Sequence, residues 1–275
     1  MIQARIYCLS THICANRLIV NFVFKMRILI HRTEEFQHMR LAGRAASAVL
    51  DHVESKISAG ITTAEIDKIC HDFIIANGGK PACLGYMGFP NSVCTSVNNV
   101  VCHGIPTNYA FKDGDIVNVD VVVELNGWHG DTSRTFLIGN VAPETKKLVD
   151  VTKKSMDMAI SLVKPGATLG DIGHCIQSYV ESHGYSVVRE YCGHGIGKKM
   201  HEDMSVLHYG EKGSGVKLTN GMFFTIEPMV NAGSKEICLL EDGWTVVTAD
   251  GSMSAQFEHT VGVTKNGFEI FTISS

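Results

Sequence analysis

Five side chains in this sequence could together hold metal: Asp120, Asp131, His194, Glu227 and Glu258. Asp120 sits in the otherwise apolar run VNVDVVV, Glu227 in FFTIEPM, and Glu258 in QFEHT just ahead of another apolar run. Asp131 follows Asp120 across Asn126-Gly127, a hairpin signal, so a strand pair would bring the two acids near one another. An ionised carboxylate is costly to bury unless a cation meets it. Two on paired strands repel until one takes a proton or a cation comes between them. Any one of the four acids read alone is a strand-end residue in solvent or half of a buried ion pair. Four together, with no Arg or Lys in the runs around Asp120, Glu227 and Glu258, point to divalent metal as the neutralising charge. His194 stands in GHGIG, where flanking glycines expose an imidazole on a tight backbone, and it adds one nitrogen to the set.

Oxygen ligands with a single His suit Mn, Fe, Co or Zn, and two such ions about 3.5–4 Å apart can share carboxylates and a water of lowered pKa. The chemistry this predicts is hydrolysis. His103 and His201, taken singly, read as ordinary structural histidines. His103 lies in a repeat, however, and His201 comes seven residues after His194, which makes both candidates to donate to a tetrahedral intermediate. His201-Glu202 does not open an HExxH zinc motif, because position 205 is Ser205. GxGxxG, the phosphate-binding GxxxxGK[ST] and the nucleophile elbow GxSxG are absent from the sequence.

The elements that must position these residues come in two similar sets. Thr33 with Glu34 and Glu35 predicts the start of a helix, in which Phe36, Met39, Gly43, Ala46, Leu50, Val53 and Ile57 recur at spacings of three and four. A capping box at Thr62 and Glu65 opens a second helix that carries Ile66, Ile69, Cys70, Phe73 and Ile74 and stops at Asn77-Gly78-Gly79. Strands follow, with Ile116 to Leu125 turning at Asn126-Gly127 into Thr132 to Ile138. The order then returns: a helix from about Pro143 to Val163, a capping box at Thr168 and Asp171, a second helix ending near Gly184, and strands again. GITTAEI at 60–66 matches GATLGDI at 166–172 with an offset of 106, and DGDIVNVD at 113–120 matches NGMFFTIE at 220–227 with an offset of 107. The third match, His103-Gly104-Ile105 with His194-Gly195-Ile196, has an offset of 91 and needs an insertion or deletion. These repeats predict a duplicated helix-helix-strand-strand unit about a pseudo-twofold axis, with central antiparallel strands, outer helices, and Asp120 and Glu227 as symmetry mates.

At 275 residues and 45% apolar content the chain can bury a large core, and the near-regular offsets favour one domain of two halves over residues 26–275. A formal charge of -4 gives no basic footprint for nucleic acid. Nine cysteines without a Cys-x-x-Cys pair suit neither a disulfide framework nor a Cys-rich zinc site, and a reducing cytoplasm is the compartment expected. No run approaches the roughly 20 apolar residues of a membrane span. Residues 1–25 read as an extension without assignable chemistry. With Arg5 as the single basic residue near the start and no small-residue cleavage site, they do not read as a signal peptide.

With ACLGY, CHGIP, HGDT, GHGIG, FTIEPM and EHT around the five candidate ligands, the chain from about Thr33 to Thr272 resembles the type 1 methionine aminopeptidases, in the bacterial manner. The resemblance implies the pita-bread fold, an α/β (α+β) arrangement of two pseudo-symmetric halves. It implies removal of the initiator methionine from nascent chains at the ribosome when the second residue is small, with a water shared by two metals as nucleophile. His194 and Glu227 would bind one metal, Asp120 the other, and Asp131 with Glu258 both. Glu227 would also serve as base, with His103 contacting the peptide and His201 stabilising the intermediate. Cys83, Tyr86, Cys94, Met200 and Trp244 would line a methionine pocket, its sulfur and aromatic surface suited to a thioether. From composition alone, Cys83 and Cys94 are equally well ordinary apolar packing. A monomeric, cytoplasmic enzyme is implied. Three departures bear on pocket shape: Met87 where bacterial members often carry His, Met200 where Phe is common, and Met204 where Pro usually follows the His-Glu pair. The 26 residues from His201 to Glu227 leave no room for the long insertion of type 2 members. The competing readings are an Xaa-Pro aminopeptidase or prolidase, and a non-enzymatic binding module of the same fold.

Overall fold

Asn126 and Gly127 both adopt left-handed backbone, with φ of 54° and 77°, and fold the chain into a ten-residue by ten-residue hairpin with Leu125 opposite Trp128. This is the two-residue turn whose twist matches that of paired strands. The hairpin is the centre of the first half in a computed structural model that describes residues 28–274. Residues 1–25, read above as an extension, lie outside the described residues. Helices α1 (Glu35–Glu54) and α2 (Thr63–Ala76) precede β1 (Lys80–Pro81), β2 (Cys94–Val97), β3 (Val100–Cys102) and the hairpin strands β4 (Ile116–Leu125) and β5 (Trp128–Leu137). The second half repeats the order with α3 (Pro143–Ile160) and α4 (Leu169–Ser182), then β6 (Ser186–Val187), β7 (Gly193–Gly195), β8 (Glu202–Val206), β9 (Phe223–Ile226) and β10 (Met229–Asn231). It closes with β11 (Ile237–Leu239), β12 (Val246–Thr248), β13 (Ser254–Gln256), β14 (Glu258–Val263) and β15 (Phe268–Ile270).

Both second helices start on the predicted capping boxes. Thr62 Oγ1 accepts the Glu65 amide at 3.1 Å while the Glu65 carboxylate accepts the Thr62 amide at 2.8 Å, and Thr168 with Asp171 repeats the exchange at 3.2 and 2.8 Å. The first helix begins differently from expectation. α1 starts at Glu35, with Glu34 in helical backbone and no side-chain cap, and the Glu35 carboxylate takes the Arg32 amide at 2.8 Å. An acid in the first turn, not Thr33, satisfies that free donor.

The main sheet runs β1-β4-β5-β14-β9-β7-β8, with β2 also on β4 and β15 also on β14, and every pairing is antiparallel. The two strands related by the 107-residue offset, β4 and β9, stand on either side of the central pair β5 and β14. Their outer neighbours β2 and β7 are likewise matched. The third repeat match does not mark equivalent places: His194 lies in β7 of this sheet, whereas His103 follows β3, which pairs with β12 in a separate three-stranded sheet.

Alternation along β4 gives its side chains two jobs. Val117, Val119, Val121 and Val123 are buried in a core with Val49, Leu50, Val53, Ile66 and Ile74 of α1 and α2, while Asn118, Asp120 and Val122 turn to the opposite face. α1 approaches β5 closely because position 130 is glycine: a Cβ there would come within 2.3 Å of the Ala42 carbonyl oxygen. In the second half Phe224, Ile226, Val261 and Val263 form the matching core with Leu148, Ile172 and Ile176 of α3 and α4. The helices thus cover one face of the sheet, and the opposite face is free to hold polar groups.

Candidate metal centre

Register collects the acids on that opposite face. Asp120 and Glu258 are both partners of Ser133, one from each side, and Asp131 lies two residues before Ser133 on β5. Glu227 is the first residue beyond β9. His194 comes from β7, where the ladder with β8 shifts register between His194 and Gly195; its Nε2 stands 3.6 Å from Asp131 Oδ2 and 3.7 Å from Glu227 Oε1. Asp131, His194 and Glu258 offer ligand atoms all within 4.8 Å of one another, the one such cluster of three among the described residues. Asp120 and Glu227 fall outside that triple but line the same cavity.

The electrostatics are those of anions short of a counter-charge. Burial, reinforced by Asp131 and Glu227, pushes the Asp120 carboxyl well up, and burial with Asp131 does the same to Glu258. Burial also raises Glu227 to about 7, although the nearby His194 opposes it. For His194 burial pulls downward, but Asp131 and Glu227 outweigh it and hold the imidazole at about 9. Arg134, three residues after Asp131, supplies no relief: it points to the helix side of β5 and pairs with Glu54 and Asp51 at 2.9 and 3.1 Å. Asp120 Oδ1 and Glu258 Oε1 are buried without a hydrogen-bond partner. Orphaned carboxylate oxygens, four acids and one imidazole fit divalent metal, which takes exactly such donors without further protein groups.

The acids form the floor of a cavity of about 410 Å³. Its walls include every residue expected for the methionine pocket (Cys83, Tyr86, Cys94, Met200 and Trp244) together with His103 and His201. Cys94 is the β2 partner of Asp120, so the apolar wall adjoins the acidic floor directly. Its thiol is held well up by the neighbouring Cys83 and by burial, and it remains an uncharged, polarisable surface. Trp244 meets Phe89 edge to face, with centroids 5.2 Å apart. His201 is lowered to about 4 by burial and by His194, and its Nδ1 is 2.7 Å from the Tyr86 hydroxyl. Tyr86 therefore touches a histidine of the site as well as lining the wall. His103, in left-handed backbone with φ 55°, is lowered by burial, and its ring lies edge-on to Tyr191 and Trp244. Glu202 is not among the cavity's lining residues and lies 3.2 Å from His31. Of the three methionine departures, Met87 and Met200 line the cavity, but Met204 does not; it is buried in the α3/α4 core and cannot shape the pocket directly.

Sequence reasoning missed the side chains that aim Glu227. The Thr225 hydroxyl donates to Glu227 Oε1 at 2.8 Å and accepts the His194 amide at 2.9 Å, while Gln256 Nε2 donates to Glu227 Oε2 at 3.4 Å. Thr225 had a signal, since alternation puts it on the same face as Glu227 two residues later. Gln256 had none beyond its nearness to Glu258.

The profile of metallopeptidase family M24 matches residues 37–265, most of the chain and all of this site. The chain belongs to that family. Within M24, the chain is 54% identical over 250 residues to the methionine aminopeptidase of Rickettsia prowazekii (strain Madrid E), covering 90% of this chain and 96% of that protein. The crystal structure of methionine aminopeptidase from Rickettsia prowazekii superposes with a TM-score of 0.89, over 90% of this chain and 100% of that one. The prolidase from Pyrococcus horikoshii OT3, 20% identical, shares the fold with a TM-score of 0.71 over 90% of this chain and 64% of its own. The α/β arrangement described above is thus the pita-bread fold of the M24 family, as the resemblance implied, and its two similar halves are those that the repeats predicted.

Proposed function

We propose that this M24 peptidase removes the N-terminal methionine of nascent proteins whose second residue is small. The observation that carries the reading is the junction of two surfaces: an apolar, sulfur-bearing wall of Cys83, Cys94, Met200, Phe89 and Trp244 that suits a thioether side chain, and adjoining it the acid-rich floor. The relatives named methionine aminopeptidase support the same substrate. Among the described residues no helix is long and apolar enough to cross a membrane.

On this reading His194 and Glu227 would hold one divalent ion and Asp120 a second, with Asp131 and Glu258 available to both; Mn, Fe, Co and Zn all suit the donors. When bound, the ions supply positive charge that polarises a carbonyl and eases ionisation of water. The protein's own groups do the rest. Glu227, its carboxylate aimed by Thr225 and Gln256, is placed to accept a proton and later return it to the leaving amine. The Tyr86 hydroxyl lies 2.7 Å from His201 Nδ1; donating there, it would leave the neutral ring's proton on Nε2, free to donate to an oxyanion. His103, neutral and edge-packed by Tyr191 and Trp244, orients the peptide. The metal-loaded protein is expected to cleave Met-Ala-Ser and to leave Ala-Pro substrates intact, measured by release of the free amino acid. Preference for Ala-Pro would transfer the chain to prolidase-type chemistry, and inactivity with Mn, Co and Fe alike would favour the binding-module reading.

A further inference from the structure

Glu227 occupies the point where the chain leaves one sheet for another. β9 ends at Ile226, whose partner His259 is the last rung of that ladder, and β10 begins at Met229 in the three-stranded sheet with β13 and β6. Between them Pro228 has no amide hydrogen, and the amide of Glu227 has no strand partner. A buried amide left unpaired there would cost about 1–3 kcal/mol. It is met instead by a side chain, His208, whose Nε2 accepts it at 3.1 Å. His208 lies two residues beyond β8, is fully buried, and has no hydrogen-bond partner at Nδ1. A ring that accepts at Nε2 carries its hydrogen on Nδ1. Among the described residues no protein group accepts that hydrogen, so the ring's one side-chain hydrogen bond to them is the one to Glu227.

We propose that His208 is a positioning residue: it fixes the Ile226–Glu227 peptide plane and thereby the direction from which the Glu227 carboxylate enters the site. The carboxylate end is already held by Thr225 and Gln256. His208 holds the backbone end, and the two together leave the side chain one approach to His194. The inference rests on the function proposed for Glu227.

His208→Leu and His208→Gln separate the bond from mere filling of space, because the Gln side-chain oxygen can accept the same amide. Expected for His208→Leu is roughly tenfold weaker binding of Co2+ or Mn2+ alone, by calorimetry, and a tenfold or greater fall in kcat on Met-Ala-Ser with KM within twofold. His208→Gln should recover most of both even where its melting temperature falls as far as that of the Leu variant. Long-range 15N NMR of the unsubstituted protein without metal should show the ring protonated on Nδ1. An Nε2-protonated ring would overturn the proposal. So would a Leu variant with parental ion affinity and kcat, or a folded Gln variant as impaired as Leu. The tautomer and the ion affinity are read without substrate, so their failure counts against His208 alone, whereas a parent protein inactive on Met-Ala-Ser counts against the proposed function.

Discussion

Stripping the site of divalent metal should make the protein less stable as pH rises above neutrality. In the metal-free protein His194 is held at about 9 against an ordinary 6.5 by Asp131 and Glu227, which overcome the cost of burial. A group raised in the folded state contributes stability that is complete below the unfolded pKa and lost as pH climbs through the folded one. For His194 that window runs from 6.5 to about 9. Glu227, raised from 4.5 to about 7 chiefly by burial, has the same sign and finishes losing its contribution within that window. Asp120 and Glu258, also pushed up by burial, have the same sign, and because these groups act on one another they are not added. His194 alone gives up ~2 kcal/mol between pH 6.5 and 8, at about 1.4 kcal/mol for each pH unit. For a chain of this size that is roughly 4–8 °C in melting temperature. His201, His208 and His259 are lowered by burial and have the opposite sign, but their contributions change below 6.5 and are present in both forms of the protein. The measurement is therefore the difference between metal-loaded and chelator-treated melting temperatures, by calorimetry at pH 6.5, 7.25 and 8. The loaded form loses nothing through these ligands, since deprotonated ligands are what the ions bind, so the gap widens with pH. A gap that stays constant or narrows would show that His194 and Glu227 do not carry the uncompensated charge assigned to them.

Thr168→Ala removes the acceptor for the Asp171 amide and should cost about 1 kcal/mol near neutrality, read as a lower melting temperature. Asp171 is held below its ordinary value first by the Thr168 amide, which the Ala variant keeps, and then by the Thr168 hydroxyl, which donates to Asp171 Oδ2 at 2.9 Å and is lost; that hydroxyl's contribution is present above about pH 4 and lost in acid, so the penalty of the substitution should shrink there, and a penalty that grows in acid would contradict the capping assignment. Tyr86→Phe leaves the wall apolar but frees His201 Nδ1, and kcat on Met-Ala-Ser should fall several-fold with KM nearly unchanged. A rise in KM alone would make Tyr86 a pocket residue and nothing more.

What could be read from the sequence, and what could not, divides along the length scale of the interaction. Asp120 and Glu227 were conspicuous because the runs around them, VNVDVVV and FFTIEPM, are largely apolar, and an ionisable side chain in such a run has few reasons to be there. The duplicated capping boxes were legible because a cap is complete within four residues. The start of α1 was not, because Thr33 and Glu35 were both chemically able to satisfy its free amides, and it is Glu35 that does so. Arg134 looked close to Asp131 in sequence, yet an odd spacing on a strand placed it on the helix side, where α1 supplies its partners. The histidine repeat misled for a related reason: three identical residues carry no information about which sheet a strand joins. His208 was the least legible of all. Its importance depends on a backbone amide nineteen positions away that lost its ladder partner where β9 ends. Of the five candidate ligands Glu227 alone lies outside a strand, and that departure strands a backbone amide which a distant side chain must meet. The group that holds Glu227 from behind is therefore chosen by a break in the sheet, which local pattern does not record, while the acids are marked by charge, which it does.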